Sequence, residues 1–297
     1  MIAPDLQAQR GAAFRALHRA ERAFIIPNPF DRGSARIFEA AGFEALATSS
    51  AGWAFSRGCG DHRVGRSAML AHLGEIAEVT SLPVSADLES GFSDSPEGVA
   101  ETIGLAAETG IVGASIEDAS GRREEPLYPL ALAKERIDAA AEAARSLPFA
   151  FTLTARAENF LVGSDDLGDT IKRLQAYQEA GADVLYAPGI RSADDIRTIL
   201  SAIDVPLNVL ADSGPGWPGC AELEALGVRR VSVGSSIART AYGAVLDAAL
   251  EMRSLGTFSF GAKAIPFDEA DALFGGRMKM AELPQSWSRA ETSGARA

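Results

Sequence analysis

The chain has 297 residues, 47% hydrophobic and 23% charged, a size that suits one large barrel or two medium domains. Its 28 basic against 40 acidic side chains give a formal charge of −12 and a pI near 4.8, which disfavours nucleic acid and anionic membranes as partners. Two cysteines, Cys59 and Cys220, cannot build a disulfide framework, no apolar stretch reaches membrane-spanning length, and Met1-Ile-Ala-Pro-Asp5 lacks a signal-peptide pattern, so a cytoplasmic protein with reduced thiols is expected.

Eight short apolar runs read as buried strands: Ala23–Pro27, Ala45–Ser49, Val84–Leu88, Gly113–Glu117, Ala150–Thr154, Val184–Ala187, Leu207–Ala211 and Arg230–Gly234. Between them, stretches rich in Ala, Leu, Glu and Arg at helical spacing predict helices. These are Asp31–Ala41, Pro96–Thr109, Leu130–Ser146, Leu167–Ala180, Ala193–Ala202 and Ser236–Ser254. Gly42, Gly110, Gly181 and Gly227 each precede a strand and fit the glycine that ends a helix. Strands alternating with helices specify parallel βαβ units, and eight units fit a (β/α)8 TIM barrel. A doubly wound open sheet is the alternative, weakened by the lack of a G-x-G-x-x-G turn after the first strand. The barrel is placed at residues 1–256 and a C-terminal helical extension and tail at 257–297.

In such a barrel the loops after the strands share one face, and that face carries the chemistry. Asp87 and Glu89 end the third run, and Glu117 ends the fourth. Carboxylates converging there suit a hard divalent cation, which prefers oxygen ligands and keeps positions open for a chelating acid. Arg156, after the fifth run, can clamp a carboxylate with two hydrogen bonds or pair internally with Glu117 or Glu158. Ser50, Ala51 and Gly52 form either a nest of backbone N–H groups for a carboxylate or an ordinary tight turn. Gly234 and Ser235, followed by Ser236, either hold an anion at a helix start or cap the helix. Asn208 is a polar barrel-interior residue or a structural one. Cys59 and His62 have no partners at metal-ligand spacing, so zinc is not expected. Lys134, Lys172, Lys263 and Lys279 lie away from strand ends, which argues against Schiff-base chemistry.

Taken together, Thr48-Ser-Ser-Ala-Gly52, Ala86-Asp-Leu-Glu-Ser-Gly-Phe92, Ser115-Ile-Glu-Asp118 and Thr154-Ala-Arg-Ala-Glu158 resemble the isocitrate lyase / phosphoenolpyruvate mutase superfamily, from about Arg22 to about Gly256. The resemblance implies a Mg²⁺-dependent barrel, with Mn²⁺ as the alternative ion, acting on a small anionic 2-oxo or 2-hydroxy carboxylic acid. It also implies an enolate-type intermediate and C–C cleavage. Asp87 matches the principal metal-binding aspartate, Glu89 the next acidic position, Glu117 the glutamate of the signature and Arg156 the barrel arginine, while Asp61 resembles the acid near the metal's water shell. Family members form tetramers in which a C-terminal helix is exchanged, so a homotetramer is expected. The loop Ala119–Pro129 departs from the methylisocitrate lyase pattern: it lacks K-K-C-G-H, and it also lacks the Lys and Asn of the mutase and phosphonopyruvate hydrolase branch. Tyr128 remains as a candidate proton donor, and the loop's length, two Pro and one Gly read as a mobile lid. A C–P mutase or hydrolase, and a carboxylate-binding barrel without turnover, are the alternatives.

Overall fold

A computed structural model describes residues 2–190, 192–212, 214 and 216–276. Eight parallel strands make the sheet: β1 Phe24–Ile26, β2 Leu46–Ala47, β3 Val84–Asp87, β4 Gly113–Glu117, β5 Thr152–Arg156, β6 Val184–Tyr186, β7 Leu207–Leu210 and β8 Arg230–Ser232. Around them run α1 Pro4–Arg19, α2 Arg32–Ala40, α3 Ser50–Ser56, α4 Arg66–Val79, α5 Pro96–Glu108 and α6 Leu130–Ser146. The chain continues through α7 Leu167–Glu179, α8 Ala193–Leu200, α9 Cys220–Leu226, α10 Ser236–Leu255 and α11 Phe267–Phe274. No described helix is long and apolar enough to cross a membrane.

Strand order β1-β8-β7-β6-β5-β4-β3-β2 makes this a (β/α)8 TIM barrel that is nearly closed. Ala47 N donates to Pro27 O (3.1 Å) across the remaining seam. Asn28 reinforces that seam: its Nδ2 donates to Thr48 O, while its Oδ1 accepts from Val233 N and Gly234 N. The four helix-ending glycines all have positive φ, between 83° and 108°, a region open to glycine at no steric cost. The fifth strand lies two residues later than expected; an even shift preserves which side chains face inward.

Helix α1 was not legible as an element in the sequence. Its buried face carries Gln7, Arg10 and His18 beside Phe14, which dilutes the apolar stripe on which helix prediction relies. It closes the N-terminal end of the barrel. Gln7 Nε2 donates to Ala107 O and Ile111 O, Arg10 donates to Ala77 O and Thr80 O, and Phe14 packs with Phe24, Ile26, Ala45 and Val112. Gly11 permits this docking, since a Cβ there would fall 2.2 Å from Ala150 O.

Helix α11 lies on α2 of the same chain, with Leu273 buried; a Cβ at Gly33 would sit 3.4 Å from Phe274 Cε1. The tail beyond residue 276 lies outside the described residues.

Candidate active site

The C-terminal ends of the strands open into a cavity of about 430 Å³. Arg156, the last residue of β5, is its centre. Arg156 Nε donates to Glu158 Oε1 (2.8 Å), Nη1 donates to Asp87 Oδ1 (3.0 Å), and Nη2 lies 3.2 Å from Glu117 Oε2. The register puts Glu117 directly opposite Arg156, so the β4–β5 ladder itself forms one of these pairs. Tyr186, opposite Arg156 on β6, places its ring 5.1 Å beneath the guanidinium. The internal-pair reading of Arg156 is therefore correct as geometry, and it joins three acids rather than one.

Burial raises the Glu117 carboxyl well above its ordinary value; Arg156 opposes this, and Glu158 and Asp87 add to it. Glu158 is also raised by burial against the pull of Arg156. Burial alone would lower Arg156, but Glu158, Glu117 and Asp87 hold it well above the usual arginine value, so it stays charged. Two buried acids and a part-buried Asp87 around one cation leave negative charge that a proton or another cation must offset. Their donor atoms are all carboxylate oxygens, the chemistry that Mg²⁺ prefers.

Asp87 is fixed on its other side by α3. Ser50 donates to Asp87 Oδ2 through its backbone N (3.1 Å) and its Oγ (2.8 Å), while Ser49 caps the helix by accepting from Gly52 N (3.1 Å). Ser50 and Ala51 line the cavity. Gly52 does not: its N–H is taken by Ser49, and a Cβ there would meet Phe30, Ser49 and Ala238 within 3.3 Å, so it is a packing glycine. Gly234 and Ser235 line the cavity beside Ser50 and Ala51, where α10 packs on α3, with the Gly234 N–H already bound to Asn28.

Glu89 turns away from the Arg156 cluster. It sits at φ 51°, in a region where non-glycine residues are uncommon, and its Oε2 lies 3.2 Å from His62 Nδ1. Asp61, His62 and Glu89 offer ligand atoms within 4.8 Å of one another. The expectation that His62 lacks such partners is thus corrected: the loop after α3 folds back onto the loop after β3. The hydrogen bond to Glu89 raises His62 to about 9 despite burial, with Glu117 and Asp61 contributing. A protonated imidazole is a donor and not a metal ligand.

Tyr128 is not brought to the cavity. It is 1% exposed, its hydroxyl donates to Asp94, and its ring lies 3.9 Å from the Arg136 guanidinium. Arg122 joins the same cluster, with Nη1 3.2 Å from both Asp94 oxygens. The loop after β4 is folded as a hook, with Ala119 bridged to Leu127, and of its residues only Ala119 lines the cavity among the described residues. Asp118 anchors its base, accepting from Glu158 N, Arg173 Nη1 and Tyr177 OH.

The sequence reading missed His62 as a partner of the acids, and it missed Arg230, whose side chain lines the same cavity from β8. An arginine inside a predicted strand of a barrel was the available signal.

The sequence profile of the phosphoenolpyruvate phosphomutase family matches residues 14–253. A lyase/mutase candidate from Burkholderia cenocepacia superposes with a TM-score of 0.89 at 57% identity, covering 91% of this chain and 97% of that one. The oxaloacetate decarboxylase of Pseudomonas aeruginosa is 32% identical over 249 residues, 82% of this chain and 85% of that one. A phosphonopyruvate hydrolase solved with oxalate and Mg²⁺ superposes at 0.80 with 25% identity, covering 90% and 95% of the two chains. The barrel, the strand-end acids and these matches agree: the chain belongs to the phosphoenolpyruvate phosphomutase family.

Proposed function

We propose that the protein is a Mg²⁺-dependent lyase that cleaves a C–C bond in a small 2-oxo or 2-hydroxy carboxylic acid through an enolate-type anion. The observation that carries this reading is Arg156 held among Asp87, Glu117 and Glu158 at the mouth of the cavity. Asp87 and Glu117, with Glu89 and Asp61 reached through water, are the residues that would hold the ion. When bound, Mg²⁺ supplies positive charge next to the oxygen on which the enolate forms. Glu158 fixes Arg156 through Nε, so the Nη1 and Nη2 edge is the part that can turn to a substrate anion. A guanidinium aimed at developing charge in a site shielded from water is a strong electrostatic contribution. The first-turn backbone of α3 and the wall at Gly234 and Ser235 bound the space for the substrate carboxylate. Tyr128 takes no part, because it lies outside the cavity.

The hook after β4 favours one second reading, a carboxylate-binding barrel without turnover: it carries no Cys, His, Lys or Asn and is tied to Asp94. Incubation with oxaloacetate, methylisocitrate, dimethylmalate or phosphonopyruvate plus Mg²⁺ separates the two. Release of pyruvate or succinate supports the lyase, and release of phosphate from phosphonopyruvate alone moves it to the C–P branch. Mg²⁺-dependent oxalate binding with no turnover supports the silent barrel. If oxalate fails to bind with Mg²⁺ present, the enolate-site reading is wrong.

A cytoplasmic homotetramer with an exchanged C-terminal helix is part of the same proposal. Its support is a row of exposed apolar side chains on α10 and beyond, including Val245 (63%), Leu255 (72%), Phe258 (71%) and Phe267 (84%). The barrel domain is taken to end at residue 256, where Gly256 closes α10. Truncation there should dissociate the assembly; an oligomer of unchanged size by light scattering rejects the exchange.

A further inference from the structure

Beneath the mouth, the cavity continues down the barrel interior to a second buried arginine. Such interiors are ordinarily filled by branched apolar side chains. Here Ser85, Ser115, Tyr186, Asn208, Arg230 and Ser232 line it instead. The register runs Glu117 to Arg156 to Tyr186 to Asn208 to Arg230 across β4–β8. Because barrel strands are tilted, one rung of the sheet changes height as strands are crossed. This rung starts at the acids of the mouth and ends at Arg230, which faces α1 at the closed end.

Arg230 is 4% exposed. Its Nε donates to Asn208 Oδ1 (2.9 Å), and its Nη1 lies 3.4 Å from His18 Nε2. His18 is a neutral partner: Nδ1 donates to Phe14 O (2.9 Å), which leaves the Nε2 lone pair for the guanidinium. Asn208 Nδ2 donates in turn to Ser232 Oγ (2.9 Å), and Ser232 is hydrogen-bonded to the Tyr186 hydroxyl. Among the described residues no carboxylate pairs with Arg230, and the charged neighbour that bears on it is Arg156, of the same sign. Burial lowers Arg230 to about 10, so it is still a cation at neutral pH. A buried charge held only by neutral acceptors is costly unless a counter-charge reaches it. The cavity is the route by which one can.

We propose that Arg230, with Asn208 and Ser232, forms an anion subsite on the barrel floor that takes the distal carboxylate of a dicarboxylic substrate whose reacting end lies at Arg156. The proposal rests on the reading of the mouth given above for the reacting end, and on Arg230 alone for the distal one.

Calorimetric titration of the full chain in MgCl₂ tests it. The probes are oxalate, too short to span both sites; the dicarboxylates 3,3-difluorooxaloacetate, 2-oxoglutarate and 2-oxoadipate; and the monocarboxylate 2-oxobutyrate. At least one dicarboxylate should bind about tenfold or more tightly than 2-oxobutyrate, the scale of a charge-assisted hydrogen bond. Arg230→Met should remove that advantage and change oxalate affinity far less, by about threefold at most, as expected for loss of a more distant charge. Asn208→Asp places a carboxylate beside the guanidinium, so it should remove the advantage even if Arg230→Met does not fold. A dicarboxylate preference that survives in either folded variant, or is missing from the wild type, overturns the subsite and leaves Arg230 a structural cation. A preference that depends on Arg230 in a protein that does not bind oxalate supports the subsite and overturns the reading of the mouth.

Discussion

At the mouth of the barrel, Arg156 is ringed by Asp87, Glu117 and Glu158; on the floor, among the described residues, Arg230 is hydrogen-bonded to Asn208 and faces the neutral ring of His18. Arg230 is buried and Arg156 largely so, yet their surroundings are opposite in sign. The mouth holds more acid than its arginine offsets, and in the proposed reading a metal cation completes it. The floor holds a cation that no carboxylate pairs with among the described residues, and in the proposed subsite it is completed by an anion. A ligand that is itself part of a metal complex at one end and a free carboxylate at the other satisfies both, which neither site indicates alone. The lesson is that a buried ion's missing partner is informative about the ligand, because leaving it uncompensated costs several kcal/mol.

The comparison can be broken most severely at Arg156. Arg156→Lys keeps one positive charge but loses the fork that reaches three acids. Turnover should fall by about 10²–10³, the cost of removing one preorganised donor from developing negative charge. Steady-state kcat under saturating substrate measures it; a loss below about tenfold would place Arg156 among structural ion pairs. Next in size is Asp87→Asn, which should abolish the rise in thermal stability that MgCl₂ gives the wild type. At about one hundred times Kd that rise is worth about 2.7 kcal/mol. A variant still stabilised by MgCl₂ shows that the surplus acid of the mouth is not the metal site.

The floor is sharpened by pH. Burial first, then the charge of Arg230, hold folded His18 at about 3, below the ordinary histidine value. The unfolded chain therefore takes up the proton first. The stability linked to neutral His18 is full above about pH 6.5 and is lost as pH falls toward 3, at about 1.4 kcal/mol per pH unit. His18→Gln, which can still present an oxygen to Arg230, should remove this slope. Urea unfolding between about pH 7 and pH 5 reads it, and equal slopes in variant and wild type reject a neutral His18 under Arg230. The smallest effect is expected outside both sites. Tyr128→Phe removes the hydroxyl that donates to Asp94 and should cost about 1 kcal/mol, with turnover unchanged. A marked loss of kcat would bring the hook after β4 back into the chemistry.

Much of the scaffold was legible in the residues themselves. Helix spans such as Leu130–Ser146 were read to the residue, and Gly42, Gly110, Gly181 and Gly227 marked helix ends, because periodicity and left-handed caps are local properties. Asp87, Glu117 and Arg156 stood out because each lies at or just after the end of an apolar run, and strand ends share one face of a parallel barrel. Helix α1 did not, since its buried Gln7 and Arg10 satisfy carbonyls from residues about a hundred and about seventy positions away, a reward invisible to local pattern. His62 and Glu89 met through the folding of two loops, which spacing along the chain does not encode. Tyr128 was near the acids in sequence but was drawn off to Asp94, 34 residues away. By itself, then, the sequence determined the eight strands, six of the helices around them and the acidic residues at their ends, but not α3, α4 or α9. The tertiary structure alone decided which of those acids share an arginine and that Arg230 lies below them, because the tilt of the strands, and not their order, sets the height of each inward side chain.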